Sequence, residues 1–274
     1  NILHIFNSKF ELDSKKIENL PIGLFGDLYS HELSFTLINL NDYKNLKEVF
    51  NKCNLKIKKV LSKSFIKGVH LSEENKNIET FFQIKTNNDN SKIFFFENNS
   101  LKYEQNFKFG IDIIEKDISK ITCLKVSTVK KILGKVQFTK DFPKDELIEE
   151  EFFIDDTYRK IKKGLVYDIA SARIQEILDL ILFKNINFQY FRKHTKIIFF
   201  ELNDKIKSQS LQNLYKNIFL LSGNIDLRFL DNSSSENTIK TANKIIHYGW
   251  KKEAIPVART HKTLLGKIFD GIFG

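Results

Sequence analysis

The chain has no methionine, two cysteines, three prolines, one tryptophan and eleven glycines in 274 residues. Each shortage excludes something. Without a start residue, the sequence is expected to be a fragment or processed product whose N-terminal part is absent. Cys53 and Cys123 lie far apart and lack metal-type neighbours, so they build no disulfide framework and are expected to be reduced, small core residues. The few glycines leave no Gly-rich phosphate loop. The six histidines (His4, His31, His70, His194, His247, His261) show no metal-ligand spacing, so no metal is expected. No apolar run reaches the roughly 20 residues of a membrane-spanning helix. Asn1 to Phe10 lacks the charged, apolar and small-residue pattern of a secretory signal. No serine or cysteine sits in a nucleophile motif. Glu149, Glu150 and Glu151 could serve acid–base chemistry, but a charge run reads as solvated surface. Binding or scaffolding is therefore expected rather than catalysis.

What is present is ample for a core: 26 phenylalanines and 42% hydrophobic residues. The length allows one large domain or two ordinary ones. The formal net charge is +10. Its lysines are widely spread, in a chain also rich in Asn, Ile and Phe. Local clusters at Lys56 to Lys59, Arg159 to Lys163 and Arg192 to Lys196 are not interleaved with aromatics as in nucleic-acid-binding segments, so nucleic acid is not the expected partner. A basic body suits an acidic peptide or an anionic surface.

Periodicity predicts mixed strands and helices without a repeat of fixed length. Strands are expected at Ile2 to Phe6, Leu33 to Leu40 and Leu55 to Val60. Asp42 is expected to cap a helix whose Leu46, Val49, Phe50 and Cys53 form a core stripe. A helix follows at Ser64 to Ser72. Strands at Phe81 to Ile84 and Lys92 to Phe96 flank a polar turn, Asn87 to Ser91. A second turn at Asn98-Asn99-Ser100 leads into a strand, Leu101 to Phe109. Helices are predicted at Ile113 to Thr122, Ser127 to Leu133 and Asp168 to Lys184, the last with Ile174, Ile177, Leu178 and Ile181 on one face. A strand at Lys196 to Glu201, a helix at Ser210 to Leu221, a strand at Leu227 to Leu230 and a helix at Ser235 to Tyr248 complete the body.

The final segment, Lys262 to Gly274, follows a loose stretch containing Pro256. Leu264, Leu265, Ile268, Phe269, Ile272 and Phe273 recur at i, i+1, i+4, i+5, i+8 and i+9, one half of a helix surface, with Lys262 and Lys267 flanking. Such a helix is suited to lying in a membrane surface. Each fully buried large apolar side chain contributes roughly 1.5–3 kcal/mol. Ordering a free tail costs about 1–2 kcal/mol per residue, so one tail would bind reversibly.

Several segments together resemble FtsA, the bacterial actin-like protein that attaches the division filament FtsZ to the inner membrane. The "ILHIF" start, Pro21-x-Gly23-Leu24-x-Gly26 and Cys53-Asn54-Leu55-Lys56 follow the order of the family's "VLHVIP", "PxGLxG" and "xxCGLxV". Gly110, Asp117 and Ile118 resemble its "GG-x-x-V-T-x-D-I-A". Ala172-Arg173-Ile174-Gln175-Glu176-Ile177 resembles its "PRVEEI" helix, and Ile246-His247-Tyr248-Gly249 its "LLHYG". The amphipathic tail falls where the family has one.

The resemblance implies a mixed α/β, actin-like (ribonuclease-H-like) fold. Residues 1–60 would be part of the FtsA-specific subdomain. Residues 61–108 and 190–250 would form an actin-like core, 109–189 an inserted subdomain, and 251–274 a linker and membrane helix. It implies binding to the FtsZ C-terminal tail, with Arg173 as a carboxylate partner, self-association into polymers, and a place on the cytoplasmic face of the inner membrane at the division site. The family binds ATP with magnesium, yet its loops are degenerate here. The second phosphate loop, "DIGGGT", corresponds to Lys85 to Asn90, where Asn87, Asn88 and Asp89 replace glycines. The adenosine motif, "LTGGA", corresponds to Phe199 to Asn203, where Glu201 and Leu202 replace two glycines and the extra carboxylate would repel a nucleotide. No nucleotide cofactor and no catalysis are expected. The alternatives are an actin-fold ATPase with altered loops and a basic nucleic-acid-binding protein.

Overall fold

The computed structural model describes residues 1–139, 142–202, 209–221, 225–230 and 235–254. The tail residues Lys262, Leu264, Leu265, Lys267, Ile268, Phe269, Ile272 and Phe273 lie outside them. The chain forms two compact units: Asn1–Ser62 with residues from Ala242 onward, and Lys63–Thr241.

The first unit is built on β1 (Ile2–Leu12), β2 (Lys15–Ile17) and β3 (Tyr29–Leu37), an antiparallel sheet in the order β2-β1-β3. The strand β1 extends well past the predicted Phe6, because alternation continues: His4, Phe6, Ser8 and Phe10 are buried and the residues between are not. Residues 252–254 run along the same strand, with Asn7 N–H donating to Lys252 O and Ala254 N–H to Ile5 O. At this edge Ser62 N–H donates to His4 Nε2, which leaves Nδ1 as the protonated nitrogen facing Glu253 at 2.9 Å. Lys59 holds the other oxygen of Glu253 at 3.1 Å.

The helix α1 (Leu40–Lys52) is capped by Asn39, whose side chain accepts from Asn41 N–H; Asp42, the predicted cap, lies in the first turn. No residue of α1 is buried, so the stripe read as core is a surface stripe. Cys53 and Cys123 are both exposed, against the expectation that they fill the core. Leu55 to Val60 forms no strand among the described residues. Asn54 turns the chain back in a left-handed conformation (φ 57°), and Leu55 N–H donates to Phe50 O.

The second unit carries a five-stranded sheet: β4 (Phe81–Thr86), β5 (Ser91–Glu97), β6 (Ser100–Phe107), β7 (Ile197–Leu202) and β8 (Asp226–Leu230), in the order β6-β5-β4-β7-β8. The first three form an antiparallel meander; β7 and β8 join parallel to β4. The β5–β6 turn sits where Asn98 and Asn99 predict it, both with positive φ (48° and 64°), a conformation asparagine tolerates. One sheet face carries Phe82, Ile84, Ile93, Phe95, Ile198 and Phe200 into the main core. That core is completed by α3 (Ile111–Thr122), α4 (Val126–Lys135), α5 (Lys163–Leu178), α6 (Ile186–Phe191) and α7 (Gln209–Leu221). The predicted stripe of Ile174, Ile177, Leu178 and Ile181 is buried there. The helix itself begins at Lys163, where Gly164 packs on the Lys144 carbonyl, and ends in a widened π turn at Asp179–Phe183. On the opposite face α2 (Lys63–Glu74) lays Gly68 against the Phe96 ring. The last helix, α8 (Ser235–Tyr248), begins in one unit and ends in the other.

The turn between β4 and β5 is fastened to α3. Ile111 N–H donates to Asn87 O and Asp112 N–H to Asn88 O, so the turn caps the helix that follows β6. Gly110 makes this approach possible: a Cβ there would stand 2.2 Å from Asn87 O and 2.6 Å from Asn88 O. Both are backbone atoms and cannot rotate away. Gly110→Ala should therefore destabilise the protein by about 1–3 kcal/mol, as overpacking does, measured by urea denaturation. An unchanged midpoint would show that the turn is not clamped to α3.

Candidate functional site

The segment that the resemblance assigns to phosphate binding is this β4–β5 turn. A phosphate cradle needs backbone N–H groups that point outward. Here Asn87 N–H donates to Asn90 O at 2.8 Å, Asn87 Nδ2 to Asn90 Oδ1, and Asn90 Nδ2 to Asp89 Oδ1. The two turn carbonyls are engaged by α3. The turn is thus bonded to itself and to the helix.

Immediately inward, the charged residues of two neighbouring strands meet. Lys85 on β4 is the register partner of Glu201 on β7, and alternation puts both on the face covered by α2. Lys67 reaches them from α2. Glu201 Oε2 accepts from Lys67 Nζ at 2.7 Å and from Gln83 Nε2 at 3.2 Å; Oε1 accepts from Lys85 Nζ at 2.6 Å. The carboxylate is only 2% exposed. Burial by itself would raise its pKa, but the two ammonium groups outweigh burial and hold it below the usual carboxylate range. Burial pulls the Lys67 ammonium below the usual lysine range, against the attraction of Glu201. The charge of Glu201 is taken up by its own lysines, so the repulsion of nucleotide read from the sequence does not arise in this form. Leu202, the other replacement, is buried in the core of the sheet.

A cavity of about 240 Å³ opens beside the cluster, lined by Lys63, Ser64, Lys67, Gln83, Lys85, Asn87, Lys92 and Phe94. Lys92 is paired with Glu104 and lies 3.4 Å from Ser64 Oγ. Four ammonium groups therefore stand against two paired carboxylates. Gln83, itself 2% exposed, leaves its Oε1 buried without a hydrogen-bond partner. Chemically the cavity favours an anion over a cation, and a group that can donate to Gln83. No cluster of metal-ligating side chains occurs among the described residues.

Arg173 lies elsewhere in the unit, on α5. Its guanidinium binds Asp117 of α3 and Glu176 one turn along α5, and these carboxylates hold its pKa above the ordinary arginine value. The structure thus brings Glu201 close to the β4–β5 turn, and leaves Arg173 in a separate ion pair. Sequence reasoning missed Lys67, Gln83, Lys85 and Lys92. Two signals pointed to some of them: a lone carboxylate inside the apolar run Ile197–Leu202, and a lone lysine at the end of Phe81–Thr86, each requiring a partner if buried. Nothing in the sequence of α2 marks Lys67.

The cluster makes stability depend on pH with a definite sign. The folded pKa of Glu201 lies below its ordinary 4.5. Its contribution is therefore present above that value and lost as pH falls through the depressed folded one. Glu201→Gln leaves the buried Lys67 ammonium and the part-buried Lys85 ammonium without their counter-charge and should destabilise by about 3 kcal/mol at pH 7. Denaturation at pH 7 and pH 3.5 measures this; the gap between wild type and variant should narrow at the lower pH. A gap independent of pH would show that Glu201 is not ionised in the folded state.

No protein-family model and no curated protein sequence matches the chain. Solved structures do. MreB5 of Spiroplasma citri, bound to AMPPNP or to ADP, superposes with a TM-score of 0.53 at 9% identity, over 76% of this chain and 65% of that one. The chain thus spans just under two thirds of the MreB5 structure. The PilM–PilN type IV pilus biogenesis complex follows at 0.45, with 9% identity over 83% of this chain and 61% of that one. The MreB5 likeness, with the β6-β5-β4-β7-β8 sheet and its flanking helices, shows that the fold is actin-like.

Proposed function

We propose that this chain is a non-catalytic, actin-fold adaptor of the FtsA type, tethering FtsZ filaments to the cytoplasmic face of the inner membrane at the division site. The observation that carries the non-catalytic part is the self-bonded Asn87–Asn90 turn. Asn87 N–H bonds to Asn90 O, the Asn87 and Asn88 carbonyls accept from α3, and the Lys67–Glu201–Lys85 cluster stands directly behind. This arrangement supports a reading in which the turn serves neither ATP nor magnesium. The order of family-like segments and the amphipathic residues 262–274 support the tether. Arg173 is the proposed contact for the acidic FtsZ tail, exchanging its present partner Asp117 or Glu176 for a carboxylate of the tail, which a guanidinium can hold in a bidentate pair. Self-association into polymers belongs to the same reading. Several tails on one assembly would convert weak, reversible insertion into stable attachment.

A second reading is an actin-fold protein that binds a nucleotide or other phosphate compound through altered loops. One observation favours it: the lysine-lined cavity with the unpartnered Gln83 Oε1.

The tether is tested by flotation of the full chain with phosphatidylglycerol-containing vesicles. Wild type should float. Phe269→Asp removes one apolar anchor worth roughly 1.5–3 kcal/mol and should lower the vesicle partition constant about 10- to 100-fold. Equal flotation of the two would overturn the membrane reading.

A further inference from the structure

The first unit carries an apolar groove that stays open among the described residues. The helix α1 is amphipathic, yet none of its residues is buried. The left-handed Asn54 reverses the chain, and residues 55–61 return beside the helix. Between them, lined also by Ile246 of α8, lies a groove of about 530 Å³. Leu46, Phe50 and Leu55 line it, and Phe50, Leu55 and Ile246 are all more than a third exposed. The volume falls within the roughly 300–1,000 Å³ of ordinary binding clefts. An amphipathic face left open in this way calls for a partner.

Charge identifies the kind of partner. From Asp42 to Leu61 the chain places six lysines against two carboxylates, Asp42 and Glu48. Of the three lysines at the groove, Lys59 is held by Glu253, while Lys56 and Lys58 are exposed on the rim. The chain's own terminal segment, residues 255–274, is an unsuitable occupant. It carries Arg259, Lys262 and Lys267 against the single side-chain carboxylate of Asp270, and like charges oppose it. A second copy is equally unsuitable. The chain as a whole is basic, and in its acidic stretch Asp145, Glu146, Glu149 and Asp155 are paired with Lys162, Lys163 and Lys131 of the same unit. We infer that the groove docks an acidic segment of another protein, an amphipathic helix with large aliphatic side chains along one face and carboxylates along its edges. The site is distinct from Arg173, and the inference does not rest on the membrane-tether reading.

The test uses the full chain and a fluorescent peptide of about 14 residues with leucines at i, i+3, i+4 and i+7 and glutamates elsewhere. Anisotropy should show saturable binding. Lys56→Glu with Lys58→Glu should weaken it by at least about tenfold and create binding to the same peptide with lysines in place of glutamates. Phe50→Asp should abolish binding of both. These positions are exposed, and circular dichroism with an unchanged denaturation midpoint confirms that the variants fold. Four results would overturn the inference. One is no binding of the acidic peptide, or binding indifferent to charge reversal. Another is phosphatidylglycerol vesicles losing their hold on the chain when Lys56 and Lys58 are reversed, which makes the groove a lipid surface. The third is a large gain in peptide affinity when Ile268→Asp and Phe269→Asp are introduced, which makes the tail the occupant. The last is self-association that disappears with Phe50→Asp, which makes it a contact between copies.

Discussion

A carboxylate held between two ammonium groups, nearly out of contact with water, ties two neighbouring strands and a helix of the second unit together. Glu201 belongs to β7, Lys85 to β4 and Lys67 to α2. None of the three could be buried alone. An isolated buried charge costs several kcal/mol, and only a partner with good geometry offsets that cost. The 2.6 and 2.7 Å contacts supply it, and Gln83 adds a further hydrogen bond to the same carboxylate. The cluster therefore fixes the helix against the sheet at the carboxyl end of the two central strands. In α/β sheets this is the end where ligands ordinarily bind.

The neighbouring turn makes the same point with backbone groups. In a phosphate loop, glycines allow the chain to present its N–H groups to a ligand. Here Asn87 N–H donates to Asn90 O, the side chains of Asn87, Asp89 and Asn90 bond to one another, and the carbonyls of Asn87 and Asn88 cap α3. Gly110, the close-approach glycine, is used to seat the turn on the helix and not to seat a phosphate. Both features convert a place for a ligand into internal structure. On the proposed reading, the fold keeps its rigid platform and does not cycle between nucleotide states. The adaptor proposed above needs only such a platform, since its task would be to hold partners. Four lysines line the adjoining cavity.

Much of the second unit was legible in the sequence. Its strands alternate cleanly, its Asn-rich turns allow few backbone conformations, and the Ile174 to Ile181 stripe has the spacing of a buried helix face. The first unit was less legible for a physical reason. The α1 stripe has the pattern of a core helix, and pattern alone does not say whether the covering surface belongs to the same chain. Leu55 to Val60 has strand-forming residues but no neighbouring strand to pair with. Cys53 follows the exposed α1, and Cys123, in a left-handed conformation after α3, is exposed as well. At the candidate site, the replaced glycines were visible as replacements. That Glu201 is neutralised by Lys67 and Lys85 was not, because a contact across 134 residues of sequence depends on sheet order.

The claim that this site has become internal structure is tested most directly by calorimetric titration of Mg-ATP into the full chain at low ionic strength. The account predicts no saturable heat up to millimolar nucleotide, in wild type and in Lys92→Gln alike. A dissociation constant in the micromolar range, weakened by loss of Lys92, would contradict it and return the chain to the nucleotide-binding members of its fold.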